Sequence, residues 1–209
     1  MIDNSITQTK DSQSSITPQI ALDLLIDGNK RFVSGDVLKR DHSRQVKETS
    51  NGQFPFGVVL ECIDSRVPAE IIFDQGIGDI FTIRIAGNFA NGDILGSLEF
   101  ACKVAGSKAI IVLGHTACGA VKGACDHVEL GNLTGMLGKI QPAVDAIAED
   151  GTERSSKNAE FVQKVADKNV ELTVADILAK SDVLREMNDA GDIKIVGAMY
   201  DISTGKVRF

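Results

Sequence analysis

The chain has too little positive charge to grip nucleic acid or an anionic membrane. Its 209 residues carry 22 lysines and arginines against 29 aspartates and glutamates, a formal net charge of −7. Both partners require a basic footprint to displace counterions or meet lipid headgroups. Long apolar runs are also missing: nothing approaches the roughly 20 consecutive apolar residues of a membrane span. Residues 1–16 lack the basic start and apolar stretch of a secretory signal. They read as a polar, flexible leader ahead of a single domain covering 17–209, and a cytoplasmic location is the expectation. There is no internal repeat, no low-complexity linker, no phosphate-binding loop and no Gly-x-Ser-x-Gly. Gln75-Gly76-Ile77-Gly78-Asp79 offers a Gly-x-Gly, but Phe81 stands where a dinucleotide fingerprint needs its third glycine. In a chain expected to be intracellular, the four cysteines, Cys62, Cys102, Cys118 and Cys125, read as thiols or metal ligands rather than disulfides.

What is present suits a compact α/β protein. With 43% hydrophobic and 24% charged residues the chain can bury one sizeable core. Thr17 and Pro18 are a helix start, and Ile20, Leu24, Leu25, Gly28 and Phe32 recur at helical spacing before Gly35 closes the segment. Periodicity leaves open whether this amphipathic N-terminal arm packs on its own domain or on a partner subunit. Residues 56–60, 80–85, 109–113 and 193–198 read as strands. Residues 68–73, 94–105, 117–125, 133–148 and much of 157–187 read as helices. Such alternation implies a mostly parallel central sheet with helices on both faces. The end, with Ser203-Thr204-Gly205 between two short apolar-alternating stretches, reads as a C-terminal hairpin adding an antiparallel edge strand.

Two segments carry chemistry: Cys62-Ile63-Asp64-Ser65-Arg66 and His115-Thr116-Ala117-Cys118-Gly119. Each follows an expected strand, and ligands in open α/β sheets collect beyond the carboxyl ends of strands where their order reverses. Two thiolates cancel the charge of Zn²⁺, an imidazole adds a neutral ligand, and three protein ligands leave a fourth position open. A lone cysteine after a buried strand is usually core, and a lone histidine in a turn usually caps; the combination at two strand ends is the stronger signal. Asp64 and Arg66 are spaced for a bidentate ion pair. The pair is either a loop salt bridge or a device controlling the fourth position, with Asp64 a possible fourth ligand when it closes. A Cys–His hydrolase would leave the second thiol and this pair without purpose. Cys102 and Cys125 read as core or surface thiols, and His42 and His127 as surface histidines.

Those residues resemble the signature of the β-class carbonic anhydrases, and the resemblance runs from about Gln19 to Phe209. It implies an α/β enzyme with one Zn²⁺ per chain on Cys62, His115 and Cys118, and an Asp64–Arg66 dyad governing the fourth site. The implied activity is reversible hydration of CO2 to bicarbonate and a proton by a metal-activated water. Gln53, Phe81, Ala86 and Phe100 match the substrate pocket, some of it supplied by a second subunit, and the Gly119 N–H is available to a substrate oxygen. The implied assembly is a homodimer or dimer-based homotetramer embraced by the N-terminal arm. Some members also carry an inhibitory bicarbonate pocket built from Trp, Gly and Arg. Here Arg84 matches, but Val59 and Glu61 take the other two places, and a carboxylate repels bicarbonate. Carbon disulfide or carbonyl sulfide hydrolysis on the same fold, and a non-catalytic zinc-binding oligomer, are the competing functions.

Overall fold

The structure is a computed structural model and describes residues 4–209. Five strands, β1 (Gly57–Glu61), β2 (Ile80–Arg84), β3 (Ala109–His115), β4 (Lys194–Tyr200) and β5 (Val207–Arg208), form one sheet in the order β2-β1-β3-β4-β5. All pairings are parallel except β4 with β5, where Tyr200 faces Val207. The helices are α1 (Lys10–Ser15), α2 (Pro18–Ser34), α3 (His42–Thr49), α4 (Ala69–Ile72), α5 (Gly92–Glu99), α6 (Gly119–Cys125), α7 (Gly131–Leu137), α8 (Gln141–Asp145), α9 (Ala159–Lys180) and α10 (Asp182–Asp189).

β1 and β3 are buried at every position because both faces of the sheet are covered. Successive side chains alternate between two layers. Val58, Leu60, Ile110 and Val112 pack with residues of α5, α6, α8 and α9, whereas Val59, Ile111 and Leu113 pack with α2 and α4. The expected fold class is thus observed, including the antiparallel edge strand. Among the described residues no helix is long and apolar enough to cross a membrane.

The arm helix α2 lies on its own chain. Ala21, Leu22 and Leu25 bury against Phe56 and Ile111. Asn29 is the polar tie, donating to Ile72 O at 3.1 Å and Gly205 O at 2.9 Å while accepting from Val207 N at 2.9 Å. Close approach requires Gly28: a Cβ there would stand 1.8 Å from the Phe73 carbonyl oxygen. Gly28→Ala is therefore expected to cost about 3 kcal/mol, the upper end for overpacking, read as a lower denaturant midpoint at unchanged slope.

Several sequence expectations are corrected. Within the leader, a helix not expected from sequence is present: Thr9 and Ser12 form a capping box for α1, Gln13 donates to Pro55 O at 2.7 Å and Ala105 O at 2.8 Å, and Ile16 is buried. Residues 1–3 of that leader lie outside the described residues. The helix expected at 133–148 is two, α7 and α8, parted around Gly138, with Pro142 in the first turn of α8, where its missing N–H costs nothing. The stretch 157–187 divides at Ser181, which ends α9 and whose hydroxyl accepts from Leu184 N at 3.1 Å to start α10. The helix at 94–105 starts earlier, on the Asn91 cap, and finishes as a π-helical turn, Phe100–Val104.

A buried carboxyl gives the fold a pH dependence. Asp79 is fully buried; Oδ2 accepts from Gly76 N at 2.7 Å, and Oδ1 has no partner among the described residues. Burial pushes its pKa up to about 6, opposed by the Gly76 N–H and Arg40 and assisted by Asp74. A carboxyl that binds its proton more tightly when folded contributes stability fully present below the unfolded pKa of 3.8 and lost as pH rises through about 6. Unfolding free energies at pH 4 and pH 6.5 should show Asp79→Asn gaining about 2 kcal/mol on the parent over that interval.

Candidate metal centre

β1 and β3 run parallel and adjacent, with Glu61 opposite Leu113. The chain leaves β1 toward β2 on one side and returns as β3 on the other, so the carboxyl ends of β1 and β3 flank the point where strand order reverses. Cys62 is the first residue beyond β1, and His115 is the last residue of β3. The chain then turns through Ala117, whose φ of 55° lies in the left-handed region, and Cys118 becomes the N-cap of α6. The end of β4 holds that turn: Thr116 N donates to Tyr200 O at 2.9 Å, and the Thr116 hydroxyl accepts from Ile202 N at 3.1 Å.

The ligand atoms of Cys62, His115 and Cys118 lie within 4.8 Å of one another, and all three side chains are buried. The sulfurs are 4.0 Å apart. Two thiolates bound tetrahedrally at Zn–S distances of ~2.3 Å would be roughly 3.8 Å apart. His115 Nδ1 sits 3.0 Å from the Thr116 carbonyl oxygen; with its proton donated there, the free lone pair is on Nε2. Nε2 is buried and has no hydrogen-bond partner among the described residues. An orphaned imidazole nitrogen is costly unless something binds it. Two sulfurs and that nitrogen are donors zinc accepts, so the residues fit the metal.

The cluster is also electrostatically prepared. The Cys118 thiol beside it holds the Cys62 thiol well below the ordinary range, aided by His115 and by the Gly87 N–H, 3.4 Å from Cys62 Sγ. The Cys62 sulfur, together with burial, pushes Cys118 up. A divalent ion beside both sulfurs would let both ionise.

Asp64 turns toward Arg66. The guanidinium Nε donates to Oδ1 at 2.9 Å and Nη2 to Oδ2 at 2.7 Å, with the Arg66 backbone N adding a third bond to Oδ1 at 3.0 Å. Arg66 thereby holds the Asp64 carboxyl well below the usual carboxylate range. Asp64 Oδ2 lies 3.9 Å from His115 Nε2. Two light-atom ligands sharing one tetrahedral ion at ~2.0 Å would be roughly 3.3 Å apart. The carboxylate therefore stands just outside the ligand sphere.

The remaining expected residues separate into two groups. Ala86 precedes Gly87, which touches Cys62, and exposed Gly119 follows Cys118 as the first residue of α6. Gln53 is exposed and precedes β1, whereas Cys62 follows it, so the five residues of β1, roughly 16 Å of strand, separate them. Phe81 pairs with Val58 near the amino end of β1, and its ring packs 6.3 Å from that of Phe100, which is 52% exposed. Within one chain, Gln53, Phe81 and Phe100 do not join the cysteine–histidine cluster. Cys102 and Cys125 are buried core thiols, and His42 and His127 are exposed.

Two residues support the cluster from behind, a role the sequence pattern does not assign them. Asn169 donates to the Gly87 carbonyl at 2.8 Å, fixing the loop whose N–H meets Cys62; its signal was an asparagine inside the buried stripe of α9. Arg84 reaches backbone carbonyls of the Cys62–Asp64 loop.

Residues 57–207 match the family model described as carbonic anhydrase. Carbonic anhydrase 2 of Mycobacterium tuberculosis is 37% identical over 198 residues, covering 90% of this chain and 91% of its own. Among solved structures, a β-carbonic anhydrase of Aspergillus fumigatus superposes with a TM-score of 0.67 at 27% identity, covering 80% of each chain. One of two β-carbonic anhydrases of Sordaria macrospora, titled tetrameric, shares the fold with a TM-score of 0.66 at 24% identity, covering 79% of this chain and 89% of its own. A parallel sheet with a buried two-cysteine, one-histidine cluster at its switch point, matched over most of the chain, is accounted for in one way: the chain belongs to the carbonic anhydrase family, in its β class.

Proposed function

We propose that the chain catalyses the reversible hydration of CO2 to bicarbonate and a proton, with zinc on Cys62, His115 and Cys118. The observation that carries this reading is the unpartnered His115 Nε2 facing two sulfurs beside a carboxylate held off by arginine. Zinc, when bound, supplies the Lewis acidity that makes a water nucleophilic near neutral pH. Asp64 accepts a hydrogen bond from the attacking water and orients its lone pair toward carbon. Arg66 keeps that carboxylate ionised and off the open ligand position. The Gly119 N–H, at the amino end of α6, donates to a substrate oxygen that gains charge as the C–O bond forms. The products are bicarbonate, displaced by water, and a proton passed to buffer.

The apolar wall and Gln53 enter this reading through a second copy of the chain. Gln53, Phe81 and Phe100 sit away from their own cluster, and Phe100, 52% exposed, packs against Phe81 of β2, the strand at the free edge of the sheet. A homodimer, or a dimer-based homotetramer, would cover that edge and bring the partner copy's three residues to the site.

The experiment is a direct substrate comparison. Zinc-loaded protein should hydrate CO2 in a stopped-flow pH-indicator assay with kcat/KM far above its values for carbonyl sulfide and carbon disulfide. A preference for either sulfur substrate, or no turnover of any, would overturn the assignment.

A further inference from the structure

The loop that carries Cys62, Asp64 and Arg66 is fastened by a residue from the neighbouring strand. Arg84 is the last residue of β2 and the register partner of Glu61. Its Nε donates to the Cys62 carbonyl at 3.0 Å and its Nη2 to the Asp64 carbonyl at 2.6 Å. Nε also lies 3.4 Å from Oε1 of Glu61, a carboxylate with no solvent exposure. Glu61 Oε1 in turn accepts from Ala69 N at 3.3 Å, where the chain re-enters regular structure as α4. Both ends of loop 62–68 are thus tied to the Glu61–Arg84 contact.

The Asp64 carbonyl is the critical anchor. It accepts from Arg84 and also from Val67 N at 3.1 Å, which closes the turn that brings Arg66 back over the Asp64 carboxylate. With the backbone of residue 64 fixed on its carbonyl side, the side chain is set toward Arg66 and stops 3.9 Å from His115 Nε2. A planar guanidinium can hold two carbonyls and a carboxylate at once; a lysine ammonium is a single point that cannot span them. Burial pushes the Glu61 carboxyl up to about 8, opposed by the Ala69 N–H and by Arg84, and a buried carboxyl is costly without such partners. That cost is understandable if it keeps Arg84 turned inward.

From this arrangement we infer that Arg84, held by Glu61, is a positioning residue that sets Asp64 against Arg66 rather than in the fourth ligand position. The inference rests on the proposed role of Asp64 and Arg66, and it concerns the geometry of the loop rather than a contact with substrate.

Arg84→Met alone leaves the buried Glu61 carboxylate unpaired and risks misfolding, so the informative variant is Arg84→Met with Glu61→Gln, alongside Arg84→Lys. Both are compared with the parent as zinc-loaded and as cobalt(II)-substituted protein. The double variant should keep one metal per chain and lose ~10- to 100-fold in kcat with KM little changed, the range for lost outer partners of a metal site. Its cobalt absorption bands should shift as a carboxylate oxygen enters the ligand sphere. Arg84→Lys should recover part of both effects. Cobalt bands identical to the parent's in the double variant would overturn the inference, as would full recovery by lysine. If the parent itself fails to hydrate CO2, the functional reading falls, while the cobalt comparison still decides whether Arg84 sets the geometry around the metal.

Discussion

Replacing Cys118 with serine is expected to strip the chain of zinc and abolish CO2 hydration together. Cys118 is almost fully buried, and its sulfur is 4.0 Å from that of Cys62. A serine hydroxyl is a much poorer donor than a thiolate, and it leaves one thiolate where two are needed to balance a dication. The loss in hydration should exceed about 100-fold, beyond the 10- to 100-fold typical of outer-sphere partners. Metal analysis of the purified variant and a stopped-flow assay read the two effects. A Cys118→Ser protein with stoichiometric zinc and full rate would remove Cys118 from the site. The buried Cys102 thiol, pushed up to about 12 by burial, is the matched control, and Cys102→Ala should retain both metal and activity.

Arg66→Ala should separate metal from activity. Arg66 makes three hydrogen bonds to Asp64 and is 52% exposed at the side chain, so its removal should leave the fold and the zinc ligands in place. Freed from its partner, the Asp64 carboxylate needs only a small displacement from its position 3.9 Å from His115 Nε2 to become a fourth ligand. Zinc content should stay at one per chain while hydration falls roughly 10- to 100-fold. In cobalt(II)-substituted protein Arg66→Ala should shift the absorption bands as the carboxylate binds, and Arg66→Ala,Asp64→Asn should not, because an amide is a weaker ligand than a carboxylate. Normal hydration by metal-loaded Arg66→Ala would show that the pair is an ordinary loop salt bridge.

Much of this was legible because buried parallel strands are written in continuous β-branched runs. Val58-Val59-Leu60 and Ile110-Ile111-Val112 declare themselves, and the residues after them inherit a position at the sheet's carboxyl edge. The cysteines and histidine could therefore be brought together across 53 residues of sequence with no contact information. α3 was missed for the converse reason. It has no apolar stripe, its single aliphatic residue Val46 is 55% exposed, and it is started by an Asp41 cap alone. α1 hid behind Thr9 and Ser12, which satisfy each other without the usual acidic third residue. That Gln53, Phe81 and Phe100 stand apart from the cysteine–histidine cluster of their own chain was out of reach, because a matching position in a family carries no distance. The fastening of the active loop was equally hidden: that Arg84 faces backbone carbonyls depends on the register of β2 against β1.

The central claim is that one zinc on Cys62, His115 and Cys118 makes this chain a CO2 hydratase, and it is tested most directly by titrating metal-free protein with zinc while recording the hydration rate. The rate should rise in proportion to added zinc and level off at one equivalent per chain, and the Cys118→Ser protein should stay at background throughout. A rate that ignores zinc, or a fully loaded protein that does not hydrate CO2, would contradict it.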